Sequence, residues 1–168
     1  MKDVRLQKSL HDKPAASIPA AAFWLGLGGL IPFVALPIAV ATEAVLVLPT
    51  WMQPHITVPA LTLYAAIILS FMGGAQWGVA MRSVNDGGPV QDWRRYGVSV
   101  LPAILAWFAL AMPTRSALIV ISTGFVLLLM YDLWTVRKGE VPHWYERLRL
   151  GLTTVVVMSL TVTIVALS

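Results

Sequence analysis

The chain has 168 residues, 58% of them hydrophobic and 12% charged, with a formal net charge of +4 and a mean hydropathy of +0.76. Soluble domains carry about 25% charged residues, so this composition excludes an ordinary soluble globule and points to an integral membrane protein with no length left for a separate soluble domain. The basic residues flank hydrophobic segments and form no continuous patch, which makes lipid headgroups the expected counter-charge and removes nucleic acid; the absence of cysteine removes disulfides and thiolate chemistry.

Residues 1–19 mix Lys2, Arg5, Lys8 and Lys13 with Asp3 and Asp12. The apolar stretch behind them is longer than a signal-peptide core, and the acidic residues argue against an organelle transit peptide, so an uncleaved cytoplasmic tail in a bacterial inner membrane is expected. Five apolar segments follow, over residues 20–48, 58–81, 96–112, 116–134 and 150–167. Each is read as crossing a hydrocarbon core of roughly 30 Å, with tilt in the longer ones and frayed ends in the shorter. The expected fold is an all-α bundle of five transmembrane helices forming a single domain over residues 20–168, and an odd number of spans excludes a simple pair of inverted repeats.

In the first span Pro32 and Pro37 each remove an intrahelical hydrogen bond, which predicts a kinked helix. Glu43 lies toward its outer end, with His55 and Arg115 on the same predicted side. A Glu43–Arg115 pair and a proton relay through Glu43 and His55 are both open readings of that outer group. In the second span Ala66, Ser70, Gly74 and Gly78 recur every four residues, with Gly73 adjacent and Arg82 next in register. Small residues at that spacing make a flat face for close helix packing. The same turn also leaves room for a headgroup, with Gln76 and Trp77 supplying polar contacts.

Asp132 ends the fourth span, where Arg82, Arg147 or Arg149 would reach it and tie the second, fourth and fifth helices through a carboxylate–guanidinium pair; a headgroup-level carboxylate in water is the alternative. His143 and Glu146 lie nearby but match no metal-ligand spacing, so no metal site is expected. Trp24, Trp93, Trp134, Trp144 and Tyr145 fall near the predicted inner interface and Trp51 near the outer one, as anchoring aromatics do.

The connections complete the topology. The tail, the second-to-third connection and the fourth-to-fifth connection carry four, three and four basic residues, while the intervening segments carry none, Arg115 alone, and none. Cytoplasmic connections retain positive charge, so the N-terminus is expected in the cytoplasm and the C-terminus in the periplasm.

Residues 64–78 (YAAIILSFMGGAQWG), 96–107 (YGVSVLPAILAW) and 141–153 (VPHWYERLRLGLT), with Asp132 between the last two, resemble the membrane family of domain of unknown function 3429, which contains the transmembrane protein 69 homologues. The resemblance covers most of the chain after the first span. A Phe-x-Gly-Gly-x-x-Trp-Gly element maps to Phe71, Gly73, Gly74, Trp77 and Gly78. A Pro-x-Trp-Tyr-x-x-Leu-Arg-x-x-Leu-Thr element maps to Pro142, Trp144, Tyr145, Leu148, Arg149, Leu152 and Thr153. The resemblance implies about five spans in a bacterial inner membrane or a mitochondrion and supplies no activity. Relatives often carry His where this chain has Gln76, so it implies hydrogen bonding there and no imidazole chemistry.

No nucleophile–base pair, Walker-type glycine loop or zinc motif gives an enzyme positive support. The leading expectation is a non-catalytic accessory, assembly or stabilising subunit of an inner-membrane complex, a respiratory complex being one instance, with membrane lipids and other membrane subunits as partners. The alternative is a binding or transport protein for a lipid, quinone or small amphiphile. Its cytoplasm-side pocket would be formed by Gln76, Trp77, Arg82, Asp132, Trp144, Tyr145 and Arg149. No cofactor is expected beyond such a bound lipid or quinone.

Overall fold

A computed structural model describes residues 17–41, 54–82 and 88–167. These form five α-helices and, among the described residues, no strand: α1 (Ala20–Ala41), α2 (Pro54–Arg82), α3 (Gly88–Leu110), α4 (Thr114–Arg137) and α5 (His143–Ala166). Four of them, α1, α2, α4 and α5, are long and apolar enough to cross a membrane. The chain is a multi-pass membrane protein on that ground.

The expected third span is the one that changes most. Instead of covering residues 96–112, the helix begins at Gly88 and ends at Leu110, with a turn before Pro113 starts α4. Its apolar part, from Tyr96 to Leu110, rises only about 22 Å at 1.5 Å per residue, because Asp92, Arg94 and Arg95 occupy its early turns. The fifth segment shifts the other way. α5 starts at His143, not at residue 150, so Trp144, Tyr145 and Arg149 lie on helix and not in a connecting loop. Pro142 immediately before it lacks the N–H that a first helical turn would leave unpaired anyway. In the first segment the helix is described to Ala41, and residues 42–48 lie outside the described residues, as do residues 1–16 of the tail.

Helix register shows how the elements run. A Cβ placed on Gly26 of α1 would sit 2.9 Å from Leu152 Cδ1 of α5. Further along both helices the Ser159 hydroxyl donates to the Phe33 carbonyl, so α1 and α5 run parallel. That second contact has a cause in the sequence: Pro37 has no N–H, which frees the Phe33 carbonyl four residues earlier. In lipid such a group must be satisfied by a neighbour, and Ser159 does this. Tyr64 OH of α2 likewise donates to the Gly29 carbonyl at 3.0 Å.

α2 and α4 form the centre of the bundle; α3 packs along both on one side, and the α5–α1 pair closes the other. Leu61, Ala65 and Leu69 of α2 meet Leu118, Ile121 and Phe125 of α4, with Ala106 and Ala109 from α3, Leu160 from α5 and Phe33 from α1. The helices alternate in direction, so the end of α2, the start of α3, the end of α4 and the start of α5 share one end of the bundle. Arg94, Arg95, Arg137, Lys138, Arg147 and Arg149 all belong to that end. Arg115 stands at the opposite one.

Close helix approach does not follow the Gly74 and Gly78 face. Both glycines are exposed, and nothing lies within 4 Å of a Cβ built on either. Gly73 is the contact: a Cβ there would lie 2.5 Å from the Ser99 carbonyl oxygen of α3. The small-residue repeat therefore follows the packed face at Ala66, which is buried in the core, and leaves it at Gly74 and Gly78. Gly124 does the same for α4, with side chains of Leu69 and Leu105 each 2.8 Å from its Cβ position.

The C-terminus of α4 has a left-handed stop. Gly139 has φ +74°, its N–H donates to the Val136 carbonyl at 2.9 Å, and the Glu140 N–H donates to the Thr135 carbonyl at 3.1 Å. This is the Schellman pattern, which satisfies the last carbonyls and turns the chain sharply. The turn delivers Glu140 to Arg95 of α3, an ion pair at 2.9 Å.

A buried charged centre beside an apolar groove

Asp132 lies on the inward face of α4 with Leu128 and Val136, all three buried. About five residues separate it from the helix end and about six separate Arg149 from the start of α5, which places both roughly 8 Å inside the bundle along the helix axes. Gln76 of α2 sits at the same level. Asp132 is 2% exposed, Arg149 4% and Gln76 4%. The two carboxylate oxygens divide the work. Oδ2 accepts from Arg149 Nε at 2.5 Å, and Oδ1 accepts from the Gln76 amide.

Three helices are thus joined through one carboxylate. An isolated charge at membrane depth costs at least about 3 kcal/mol, so this arrangement depends on the pairing. The third partner expected from α2 was Arg82; its side chain lies outside the described residues, and Gln76 makes the α2 contact. The Thr135 hydroxyl donates to the Asp132 backbone carbonyl at 2.7 Å.

Arg149 is only partly used. Its Nε faces Asp132 and its Nη1 lies 2.8 Å from Met72 Sδ, while Nη2 is buried with no hydrogen-bond partner. Thr153, one turn along α5, also has a buried hydroxyl without a partner. Both residues line a groove of about 370 Å³ between α1, α2 and α5, together with Gly26, Gly29, Met72, Tyr145 and Val156. Its inner surface is buried Phe33, Phe125 and Val156, while Leu25 and Phe71 are exposed at its margin. A second groove of about 510 Å³ runs between α3 and α4 along Leu101, Leu105, Leu127 and Tyr131. Among the described residues no charged one lines it, so it presents acyl chains with an ordinary apolar surface.

The other sequence-selected residues are placed as follows. Trp77 is 44% exposed and packs on Tyr96 of α3, ring centroids 4.8 Å apart, on a different side of α2 from the groove. Trp144 is half-buried against Tyr145, and Tyr145 lines the groove. Gly73 packs against α3, whereas Gly74 and Gly78 face outward. Arg147 and His143 are exposed. Of the outer group, Glu43 and the side chain of His55 lie outside the described residues, and Arg115 is exposed in the first turn of α4.

Three features escaped the sequence reading. The Arg95–Glu140 pair depends on the turn at Gly139, and a glycine just past a helix end followed by Pro142 was its available signal. Trp134 is flanked by Lys138 Nζ at 3.8 Å and Arg94 Cζ at 4.9 Å from its ring centroid, which fastens α3 to the end of α4. Thr153 was noticed only as part of the second sequence element. It lies four residues after Arg149 and eight after Tyr145, which puts all three on one helix face.

Residues 18–165 match the family model DUF3429, described as a protein of unknown function. Over 151 residues, 88% of the chain, the sequence is 37% identical to a Xenopus tropicalis protein named transmembrane protein 69, covering 55% of that protein. It is 28% identical to the Mus musculus protein of the same name, again over 88% of the chain and 56% of the relative. The chain therefore spans about half the length of these curated relatives. No solved structure matches.

Proposed function

This chain belongs to the DUF3429 family, and from that premise we propose that it is a membrane-embedded binding protein for an amphiphile, with the groove between α1, α2 and α5 as its site. One observation carries the reading: a groove of ligand size runs between three helices, apolar along its length, with the buried Arg149 and Thr153 among the residues of its wall. The volume falls within the roughly 300–1,000 Å³ of small-molecule sites.

The finer topology belongs to the same proposal. α3 is a fifth crossing, its short apolar part accommodated by local thinning and by Arg94, Arg95 and Trp93 at the interface. The charge bias supports a cytoplasmic N-terminus and a periplasmic C-terminus in a bacterial cytoplasmic membrane. The site then opens toward the cytoplasmic leaflet.

The test is to purify the full chain from native membranes in mild detergent and analyse intact complexes by native mass spectrometry. A stoichiometric lipid-soluble adduct is expected. Gly29→Leu, which adds bulk where only Tyr64 OH comes within 4 Å of a Cβ, should remove it. Stoichiometric membrane polypeptides with no such adduct would instead support an accessory or assembly subunit and overturn the binding reading.

A further inference from the structure

We infer that the groove between α3 and α4 is a binding site for an anionic phospholipid, with an acyl chain along its apolar walls and the phosphate held by Arg94 and Lys138 beyond its end. This site is separate from the α1–α2–α5 groove and does not rest on the reading given for it. The walls come first. On α3 the groove follows Val98, Leu101, Leu105 and Phe108, and on α4 it follows Leu127 and Tyr131. Both rows advance in steps of three and four residues, so each is one face of its helix and continues past the groove in the same register. Four residues before Val98 that face carries Arg94; three and seven residues after Tyr131 it carries Trp134 and Lys138. Because α3 begins where α4 ends, the two continuations meet at one end of the bundle.

The contacts show the meeting. Tyr131 packs on Trp134 with ring centroids 5.6 Å apart, and the Trp134 ring has Lys138 Nζ at 3.8 Å and Arg94 Cζ at 4.9 Å from its centroid. Arg94 and Lys138 are exposed, while Trp134 is half-buried. One indole thus gathers two accessible cations, from different helices, about one helical turn beyond Tyr131. A guanidinium binds phosphate through its forked N–H donors and an ammonium binds it as a compact charge. Glu140, in the turn after Lys138, is engaged by Arg95 at 2.9 Å.

The dimensions fit a lipid chain. From Val98 to Phe108 the groove runs about 15 Å at 1.5 Å per residue, half of a hydrocarbon core of roughly 30 Å and so the depth of one leaflet. Leu101 and Leu127 are exposed on its two walls, which leaves it open sideways to the bilayer. A trough one leaflet deep, with positive charge at one end, has the shape and charge of a lipid with a negative head; a transmembrane helix of another chain would call for an apolar face through both leaflets.

The experiment titrates the delipidated full chain in dodecyl maltoside with dioleoylphosphatidylglycerol, dioleoylphosphatidylcholine or inorganic phosphate, and counts bound molecules by native mass spectrometry. One phosphatidylglycerol should bind at least about tenfold more tightly than phosphatidylcholine, and inorganic phosphate at equal concentration should not displace it. Arg94→Gln and Lys138→Gln should each weaken it about fivefold and together about 25-fold, the effect of one and of two basic residues beside an anionic lipid. Lys138→Arg keeps the charge and the stacking and should bind as the parent does, which separates headgroup recognition from the fastening of α3 to α4. Leu101→Trp fills the trough from an exposed position and should weaken binding at least about tenfold. The adduct should survive Gly29→Leu, so the two grooves are read separately. Phosphatidylcholine binding as tightly as phosphatidylglycerol would overturn the inference, and so would equal weakening by Arg147→Gln, which removes an exposed cation on α5. Phosphatidylglycerol binding unaffected by Leu101→Trp would overturn it too, as would a second copy of the chain or another polypeptide whose attachment Leu101→Trp abolishes.

Discussion

Adjacent glycines on α2 should respond in opposite directions to the same methyl group. A Cβ at position 73 would sit 2.5 Å from the Ser99 carbonyl oxygen and 3.2 Å from two Pro102 carbons. Ordinary contact begins at 3.4 Å, so the α3 backbone would have to retreat by about 0.9 Å, with no flexible side-chain tip available to yield instead. Overpacking of this kind costs about 1–3 kcal/mol, while the better helix propensity of alanine returns up to about 1 kcal/mol. Gly73→Ala should therefore lose up to about 2 kcal/mol, and Gly74→Ala, with nothing within 4 Å of its Cβ, should keep only the gain. Intrinsic tryptophan fluorescence of the two purified variants in one detergent measures this. At about 2–4 °C per kcal/mol, the two midpoints should separate by up to about 10 °C, with the Gly73 variant lower. Equal shifts, or a larger loss for Gly74→Ala, would refute the assignment of Gly73 as the α2–α3 contact.

Asp132→Asn leaves Arg149 buried without its counter-charge and should destabilise by about 3–5 kcal/mol, whereas Asp132→Asn combined with Arg149→Met should recover much of that loss; additive melting shifts in the double-mutant cycle would contradict the pairing. Ser159→Ala strips the Phe33 carbonyl of its donor and should cost about 1–3 kcal/mol. Hydrogen exchange should then rise in α1 around Pro37 before it rises in α2 or α4, and a uniform rise would count against this local cause. Gly139→Ala places a Cβ at φ +74° and should cost about 1 kcal/mol; since the turn positions Glu140, Arg95→Gln in that background should add less than it does alone.

The existence of the helices and the side of the bundle that gathers the basic residues could be read from composition and charge, because both are properties of whole segments. The joining of α4 to α5 through Asp132 was also visible, since a lone carboxylate among apolar residues needs a cation and Arg149 lay within reach. Helix phase was not. A helix surrounded by lipid is apolar on its outer face as well as its inner one, so Gly73 and Gly74 look equivalent until α3 is placed against one of them. The start of α5 was hidden for the opposite reason. His143, Glu146 and Arg147 read as an aqueous connection, yet only one face of that helix carries them, and Tyr145 and Arg149 turn inward. The groove combines Gly29 of α1 with Thr153 of α5, a pairing of distant segments that no local pattern contains.

The parallel pairing of α1 with α5 also has a consequence for biogenesis. α1 is the first of these helices to leave the ribosome, and the helix it chiefly packs against is the last, so α1 waits while residues 42–142 are made and inserted. Until then its Phe33 carbonyl lacks Ser159, and Gly26 and Gly29 face bilayer in place of a neighbouring helix. Arg149 and Thr153 arrive on that same final helix, so no stalled or truncated nascent chain ending before α5 presents the groove. The groove therefore forms only after α5 has been made and inserted.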